Sequence, residues 1–235
     1  MSHNTTAILI DGGFFVRRLR AVYGNKIATD PDLAAEKMHE MATAHLYSGK
    51  NSPRSELYRI LFYDCQPATH RAHLPISKKS IDFSKTDTAK FRLALHQAIL
   101  KKRKVALRLG YLDRQNASWK LKPDTLKELI SGTREWSSIT DDDFVYETRQ
   151  KQIDMKIGLD ISTLTERRLV NQIVLVSGDS DFVPAAKMAR RGGIDFVLDP
   201  MWHNIRPDLH EHIDGLRSTS PDPRKTADKK PAKKA

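Results

Sequence analysis

The sequence predicts an α/β fold in which helices cover both faces of a mostly parallel sheet. Three observations predict it: continuous apolar runs of strand length, helical patterns between the runs, and an aspartate at the end of each run. Ligands bind beyond the carboxyl ends of strands in such sheets, so we expect these aspartates to meet at one functional edge. The four runs and their aspartates are 7–10 with Asp11, 60–63 with Asp64, 173–178 with Asp179, and 195–198 with Asp199.

The helices are predicted from apolar spacing and from residues that favour helix ends. Asp30 can cap a helix whose first turn accepts Pro31, and Pro184 falls within the first turn of another helix. In chain order, the predicted elements are a strand at 7–11, helices at 14–23 and 31–48, a strand at 57–63, a helix at 89–104, a strand at 105–112, a short strand at 144–150, a helix at 153–168, a strand at 172–177, a helix at 182–191, a strand at 194–198 and a last helix near 206–216.

A small hairpin and a basic tail complete the predicted organisation. Residues 105–112 alternate like a strand, and residues 117–121 are expected to return antiparallel to them across a turn at 113–116. Residues 218–235 are rich in Pro, Lys, Ala, Ser and Thr and cannot bury apolar surface, which predicts a disordered tail. We therefore expect one folded domain over residues 1–217.

Composition excludes several classes of protein. The single cysteine, Cys65, excludes an internal disulfide framework and a cysteine-rich zinc module. The first residues lack the basic-then-apolar layout of a signal peptide, and no apolar run approaches the roughly 20 residues of a membrane span. These features predict a cytoplasmic protein without membrane contact, and they leave open whether it forms a homo-oligomer.

The chain is basic, with a net charge of +11 and a pI near 9.7. The tail carries a net +4, which leaves +7 for the rest of the chain. A basic body with aspartates at one edge suits a polyanion held by Lys and Arg, and nucleic acid is the polyanion we expect. The alternative is that the positive charge only aids solubility.

Crowded carboxylates require a cation. At an effective dielectric constant of about 20, two like charges roughly 4 Å apart cost about 4 kcal/mol. A hard divalent metal would relieve this repulsion through oxygen ligands. The run Asp141-Asp142-Asp143 is a second acidic cluster, but we predict a solvated loop or a helix cap there.

Three aspartates besides Asp11 are candidates for that metal site. Asp179 stands at a strand tip, where we expect no capping duty, and the same holds for Asp11. Asp181 begins the next helix and either caps it or caps it and binds metal. Asp154 opens a helix, whereas Asp160 lies roughly 240° around the same helix and is left as a supporting or surface group.

The ordered motifs resemble the NYN-domain family, in particular its LabA-like branch within the PIN-like nuclease superfamily. The resemblance covers roughly residues 5–200. It is carried by Ile-Asp-Gly at 10–12, Phe-Tyr-Asp at 62–64, Lys-x-x-Asp with a later Asp at 151–160, and Ser-Gly-Asp-x-Asp-Phe-x-Pro at 177–184. The resemblance implies a PIN-like three-layer fold whose acidic cleft binds Mg²⁺ or Mn²⁺ and cleaves single-stranded RNA.

The resemblance also assigns residues to roles. It gives Asp11, Asp154, Asp179 and Asp181 as the catalytic and metal-binding set and Ser177 as a hydroxyl that lines the cleft and binds substrate. Basic residues at the rim, Lys151, Arg17 and Arg18, are also expected to bind substrate, and Lys151 could instead pair with a carboxylate. One position departs from the family pattern, because Phe14 stands where many members have Asn. Two alternatives therefore remain open: a catalytically silent RNA- or protein-binding module, and a DNA-directed phosphodiesterase.

Overall fold

A computed structural model of the chain describes residues 4–47 and 54–227. Within that part of the chain, the contacts define two compact units. The first contains residues 4–47, 54–64, 94–109 and 152–227, and the second contains Cys65–Leu93 and Gly110–Lys151. The prediction of a single nuclease domain over residues 1–217 stays a prediction.

The elements alternate between strand and helix through most of the first unit. The strands are β1 (Thr5–Asp11), β2 (Glu56–Cys65), β3 (Arg71–His73), β4 (Ser80–Asp82), β5 (Val105–Leu121), β6 (Phe144–Lys151), β7 (Gln172–Val176), β8 (Asp195–Asp199) and β9 (Gly215–Leu216). The α-helices are α1 (Gly12–Tyr23), α2 (Asn25–Thr29), α3 (Pro31–Ala44), α4 (Asp87–Leu100), α5 (Pro123–Ile130), α6 (Ile153–Glu166), α7 (Val183–Arg191), α8 (Pro207–His210) and α9 (Pro223–Ala227).

The first unit is built on a parallel sheet. β1 pairs in parallel with β2 on one side and with β7 on the other, and β8 follows β7 in parallel. These are the four strands predicted to end in aspartates, and because they are parallel, their carboxyl ends lie at the same edge. The predicted α/β fold, with a mostly parallel central sheet flanked by helices, is confirmed.

Burial explains why these runs form central strands. Residues 7–10 of β1 are completely buried, as expected for a strand covered on both faces. The flanking helices each bury one apolar stripe, for example Phe15 and Leu19 of α1 and Ile157 and Ile161 of α6, all at 0% exposure. Full burial of each such side chain contributes about 1.5–3 kcal/mol.

The second unit contains two antiparallel pairs. β3 pairs with β4, and residues of β5 from Tyr111 onward pair with β6. The predicted hairpin of 105–112 with 117–121 is wrong, because β5 is one continuous strand. The expected turn at 113–116 is instead an irregularity between Asp113 and Ser118, where the register against β6 shifts. A stretch without glycine favours such a bulge over a tight hairpin turn.

Asp143 is the buried member of the acidic run at 141–143. Its carboxylate accepts hydrogen bonds from Arg134 at 2.6 and 2.7 Å and from the backbone amide of Thr140 at 2.8 Å. These bonds hold the pKa of Asp143 well below its usual range, the Arg134 contact being the largest cause. Of the two roles predicted for this run, a helix cap is therefore confirmed for Asp143. A solvated loop is wrong for this residue, because its side chain is buried.

The last helix, predicted near 206–216, is wrong after His210, because α8 ends there and β9 forms at Gly215–Leu216. The folded part also extends beyond the predicted start of the tail at 218. Thr219 donates a hydrogen bond to the carbonyl of Met41, and the Trp202 indole donates one to the carbonyl of Ser220, which is buried. These partners come from residues distant in sequence, so composition alone does not reveal them. The last part of the predicted disordered tail, residues 228–235, lies outside the described residues. Among the described residues, no helix combines the length and apolar character that crossing a membrane requires.

Gly12 is required where β1 passes into α1. A Cβ atom there would lie 2.5 Å from the Phe62 ring and 2.6 Å from the Tyr63 carbonyl oxygen. We expect Gly12→Ala to lower the free energy of unfolding by about 1–3 kcal/mol through overpacking. Urea denaturation measures the change.

Gly158, inside α6, provides the matched control, because a Cβ atom there meets nothing within 4 Å. Gly158→Ala should stabilise the chain by about 0.5–1 kcal/mol through helix propensity. Equal effects of the two substitutions would contradict the close approach at Gly12.

Candidate functional site

Asp11 ends β1 and begins α1. Its Oδ1 accepts a hydrogen bond from the backbone amide of Phe14 at 2.9 Å, so Asp11 is the N-cap of the helix. The expectation that this strand-tip residue has no capping duty is wrong, because α1 begins at Gly12, two residues earlier than predicted. The cap fixes the carboxyl group of Asp11, which is only 9% exposed, at the carboxyl edge of the sheet.

The turn after β7 fixes Asp179 in a similar way. The buried Ser177 hydroxyl accepts a hydrogen bond from the Asp179 amide at 3.2 Å, and Asp179 Oδ1 accepts one from the Asp181 amide at 3.0 Å. Asp179 therefore caps the short 3₁₀ helix Ser180–Phe182, and the capping role predicted for Asp181 is wrong. Asp181 stands inside that turn, exposed to solvent.

Asp154 links the acidic residues electrostatically. It lies in the first turn of α6, and partial burial, followed by the charges of Asp179 and Asp181, raises its pKa. Burial likewise raises the pKa of Asp11, while the Phe14 amide and Arg17 lower it and the charge of Asp154 adds to the rise. Side chains from three separate segments of the first unit therefore repel one another.

The carboxylates do not form one preassembled coordination sphere. Among the described residues, no group of three or more His, Cys, Asp or Glu side chains lies close enough to hold a metal ion. The donors nevertheless suit a hard cation, since all are carboxylates. Asp11 and Asp179 each use only Oδ1 in their caps, and within the described part of the chain Oδ2 of each makes no hydrogen bond. Oxygen atoms thus remain available for a divalent ion.

A cavity of about 480 Å³ opens beside Asp11 and Asp179. Arg17, exposed on α1, lines it and lowers the pKa of Asp11. Arg18 also lines it, but its guanidinium donates two hydrogen bonds to the carbonyl of Met201, at 2.9 and 3.2 Å, which gives it a structural task. The full lining is Asp11, Phe14, Arg17, Arg18, Ser177, Gly178, Asp179, Ser180, His203 and Arg206.

His203 and Arg206 are lining residues that the sequence analysis missed. Both are exposed and lie in the segment that follows β8. The signal that could have found them is their position, because a loop beyond the carboxyl end of a parallel strand is where ligands bind in such sheets.

Lys151, predicted to bind substrate, belongs to the second unit. Its ammonium group lies 4.0 Å from the Asp113 carboxylate of the same unit. Pairing with a carboxylate was the alternative role that the sequence left open for this lysine.

Asp64 and Asp199, the aspartates of the two flanking strands, are engaged with buried histidines. Nε2 of His96 lies 2.8 Å from Asp64 Oδ2, and Nε2 of His45 lies 2.9 Å from Asp199 Oδ2. Asp199 also accepts a hydrogen bond from the Met201 amide. All four side chains are buried, so these aspartates make structural contacts inside the first unit.

Comparison with known proteins decides the family. A family model described as the NYN domain matches residues 60–202, more than half of the chain. The chain belongs to the NYN-domain family. The match includes Asp154, Asp179 and Asp181 and begins after Asp11. The LabA-like branch stays a prediction.

NYN domains form a family of PIN-like nucleases, which generally use divalent metals. No curated protein matches this chain significantly. Among solved structures, this chain is similar to a protein of unknown function from Vibrio parahaemolyticus. The two share 14% sequence identity and a TM-score of 0.47, and the alignment covers 93% of this chain and 95% of that chain.

Phe14 fills the position that many NYN domains give to Asn. Its ring is 6% exposed and meets the His203 ring edge-on, with 6.2 Å between centroids. A Cβ atom on Gly178 would lie 2.9 Å from the Phe14 ring, so the turn before Asp179 packs directly against it. Phe14 therefore supports the walls of the cleft and offers no polar group to a substrate.

The raised pKa of Asp154 predicts how its removal affects stability. The ionised form costs free energy in the folded NYN domain at neutral pH, and this cost disappears as pH falls below the ordinary value of 3.8. Without divalent cations, we expect Asp154→Asn to stabilise the domain at pH 7 relative to a control, with the difference lost in acid. Urea denaturation at pH 7 and near pH 3 measures it.

The control is Asp32→Asn, which removes an exposed first-turn charge from α3. Both substitutions lose a favourable helix-dipole interaction of about 0.3–1 kcal/mol, so their difference reports the cost of the Asp154 charge from partial burial and from repulsion by Asp179 and Asp181. A greater loss of stability for Asp154→Asn than for Asp32→Asn at pH 7 would contradict that cost.

Proposed function

We propose that this NYN domain is a metal-dependent ribonuclease that hydrolyses phosphodiester bonds in single-stranded RNA. The proposed metal ligands for Mg²⁺ or Mn²⁺ are Asp11, Asp154, Asp179 and Asp181. The observation that supports it most is the electrostatic coupling of Asp154 with Asp11, Asp179 and Asp181 at the carboxyl edge of the sheet. Membership of a nuclease family makes phosphodiester hydrolysis the matching reaction.

The proposed site combines carboxylates with positive charge. Asp11 and Asp179 are held by their caps, and their remaining oxygen atoms are available as ligands. Together with Asp154 and Asp181 they would hold a divalent ion, whose chemistry would be to lower the pKa of an attacking water and to stabilise charge on the leaving oxygen. Arg17 and Arg206 line the same cavity and would hold the phosphates of the strand, while the buried Ser177 orients the turn that carries Asp179.

Net charge favours a polyanionic substrate. The chain carries +11 overall, and Lys and Arg binding to phosphates makes nucleic-acid affinity strongly dependent on salt. The carboxylates do not distinguish RNA from DNA, so the choice of RNA over a DNA-directed phosphodiesterase rests on what the family resemblance implies. Cleavage of single-stranded RNA, duplex RNA and DNA of equal length, assayed side by side, distinguishes these substrates.

A silent binding module is the second candidate, and Phe14 favours it. Its apolar ring occupies the position where a polar side chain of other family members would contact substrate or bound water. A domain of this kind would retain RNA affinity and lack turnover with any divalent metal.

Asp179→Asn tests the ribonuclease directly. Asparagine can still cap the turn through its side-chain oxygen, so the fold should persist while a charged ligand is lost. Loss of groups that merely support metal ligands costs 10–100-fold, so loss of a ligand should reduce cleavage by roughly 100-fold or more. The assay is cleavage of labelled single-stranded RNA with Mn²⁺, with Mg²⁺ and with EDTA.

Asp195→Asn is the matched control, because Asp195 begins β8 at the opposite end of the sheet and is exposed. Its cleavage rate should equal that of the parent. Parental rates for Asp179→Asn and for Asp11→Asn would exclude the proposed site, and activity retained in EDTA would exclude metal dependence.

Metal binding should also stabilise the folded chain. At a free Mn²⁺ concentration of 100 times Kd, linkage contributes about 2.7 kcal/mol. For a chain of this size, that raises Tm by roughly 5–10 °C. We expect the shift in the parent and a much smaller one in Asp11→Asn, measured by thermal denaturation. A parent Tm that Mn²⁺ does not change would favour the silent module.

A further inference from the structure

The second unit contains a cluster of aromatic rings. Phe83 and Tyr146 are in contact and tilted, with centroids 4.5 Å apart and an interplanar angle of 30°. Trp119 packs 5.1 Å from Tyr146, its neighbour across the β5–β6 pair, and 6.2 Å from Phe83. Hydrogen bonds fix two of the rings, because the Trp119 indole donates to the His73 carbonyl and the Tyr146 hydroxyl lies 3.0 Å from His70 Nε2.

These rings line a cavity of about 490 Å³ that lies entirely within the second unit. A volume of this size is typical of small-molecule sites. Phe83, Trp119 and Tyr146 are only partly buried, in contrast to core rings of the first unit such as Phe15 and Phe62, which are fully buried. Preorganised aromatic faces thus border open space.

The rest of the lining indicates the chemistry of the occupant. Gln66 and Gln150 present amide groups that donate and accept hydrogen bonds, and Thr148 adds a hydroxyl group. An aliphatic ligand would leave these polar groups unpaired, whereas the edge of a nucleobase carries both donors and acceptors. Arg92 also lines the cavity and adds positive charge. The second unit as a whole has 13 Lys and Arg against 10 Asp and Glu.

We propose that this cavity binds an unpaired nucleobase of single-stranded RNA by stacking it on the aromatic cluster. Base stacking on aromatic side chains accepts any base, which suits a site that grips a strand without reading its sequence. The inference rests on the proposed function in taking RNA as the ligand. It adds a base-binding site to the phosphate contacts proposed for Arg17 and Arg206.

Trp119→Leu tests the stacking, because leucine retains apolar volume and lacks an aromatic face. Binding of a labelled ten-nucleotide oligouridine in EDTA separates affinity from cleavage. We expect affinity to fall by roughly 5- to 150-fold, equivalent to ~1–3 kcal/mol per stacked base. An abasic ribose-phosphate oligomer of equal length should bind the parent and Trp119→Leu equally.

Trp136→Leu is the control, since Trp136 belongs to the same unit, is 66% exposed and does not line the cavity. Its affinity for oligouridine should match that of the parent. Trp119→Phe, which keeps an aromatic ring, should retain most of the affinity, and it keeps the proposal testable if the leucine variant does not fold. In the parent, oligouridine should quench tryptophan fluorescence, and Trp119→Phe should abolish most of that quenching.

Equal affinity of parent and Trp119→Leu for oligouridine would overturn the base site, as would the absence of RNA binding. If Trp119→Leu lost as much affinity for the abasic oligomer as for oligouridine, the base site would also be overturned, because such a loss indicates a general disruption of the fold. The two proposals can fail separately. If the aspartates are needed for RNA cleavage but Trp119→Leu binds oligouridine as the parent does, this inference is overturned and the proposed function is retained. If binding depends on the bases but no RNA is cleaved, the proposed function is overturned and this inference is retained.

Discussion

Mutual repulsion among carboxylates at the end of a parallel sheet is the constraint on which the candidate site depends. β1 and β7 are adjacent and parallel, so the turns that follow them place Asp11 and Asp179 at one edge. α6 adds Asp154, whose pKa is raised by partial burial and by the neighbouring charges. The neutral-pH fold therefore maintains an unfavourable arrangement that a divalent cation would relieve, and this links the stability of the fold to its proposed chemistry.

Capping gives the two aspartates a structural role beside their proposed role as metal ligands. Asp11 caps α1 through Oδ1, and Asp179 caps the 3₁₀ turn before α7 through Oδ1. Oδ2 of each aspartate remains available to bind a metal ion. This division of labour fixes the two carboxylates on rigid elements without using all of their oxygen atoms. It also explains why asparagine at either position is an informative substitution, since it keeps the cap and removes the charge.

The sequence predicted the parallel sheet and its aspartate-ended strands because buried strands and strand-end residues are local patterns. It failed where partners are distant in the chain. The His45–Asp199 and His96–Asp64 contacts join residues 154 and 32 positions apart, and no spacing rule identifies them. The hairpin predicted at 105–121 is wrong because a polar stretch inside a strand has the same composition as a turn. β5 continues as a strand because it pairs with β6 on both sides of that stretch. His203 and Arg206 were missed because a loop residue can be assigned to a cleft only when the position of the preceding strand in the sheet is known.

The most direct measurement of the central claim is a crystal structure determined with Mn²⁺ at saturating concentration, using anomalous scattering to locate the ion. The account predicts anomalous density bonded to the carboxylate of Asp154 and to Asp11, Asp179 or both. Density confined to other parts of the molecule, or no bound Mn²⁺ beside these carboxylates, would contradict it.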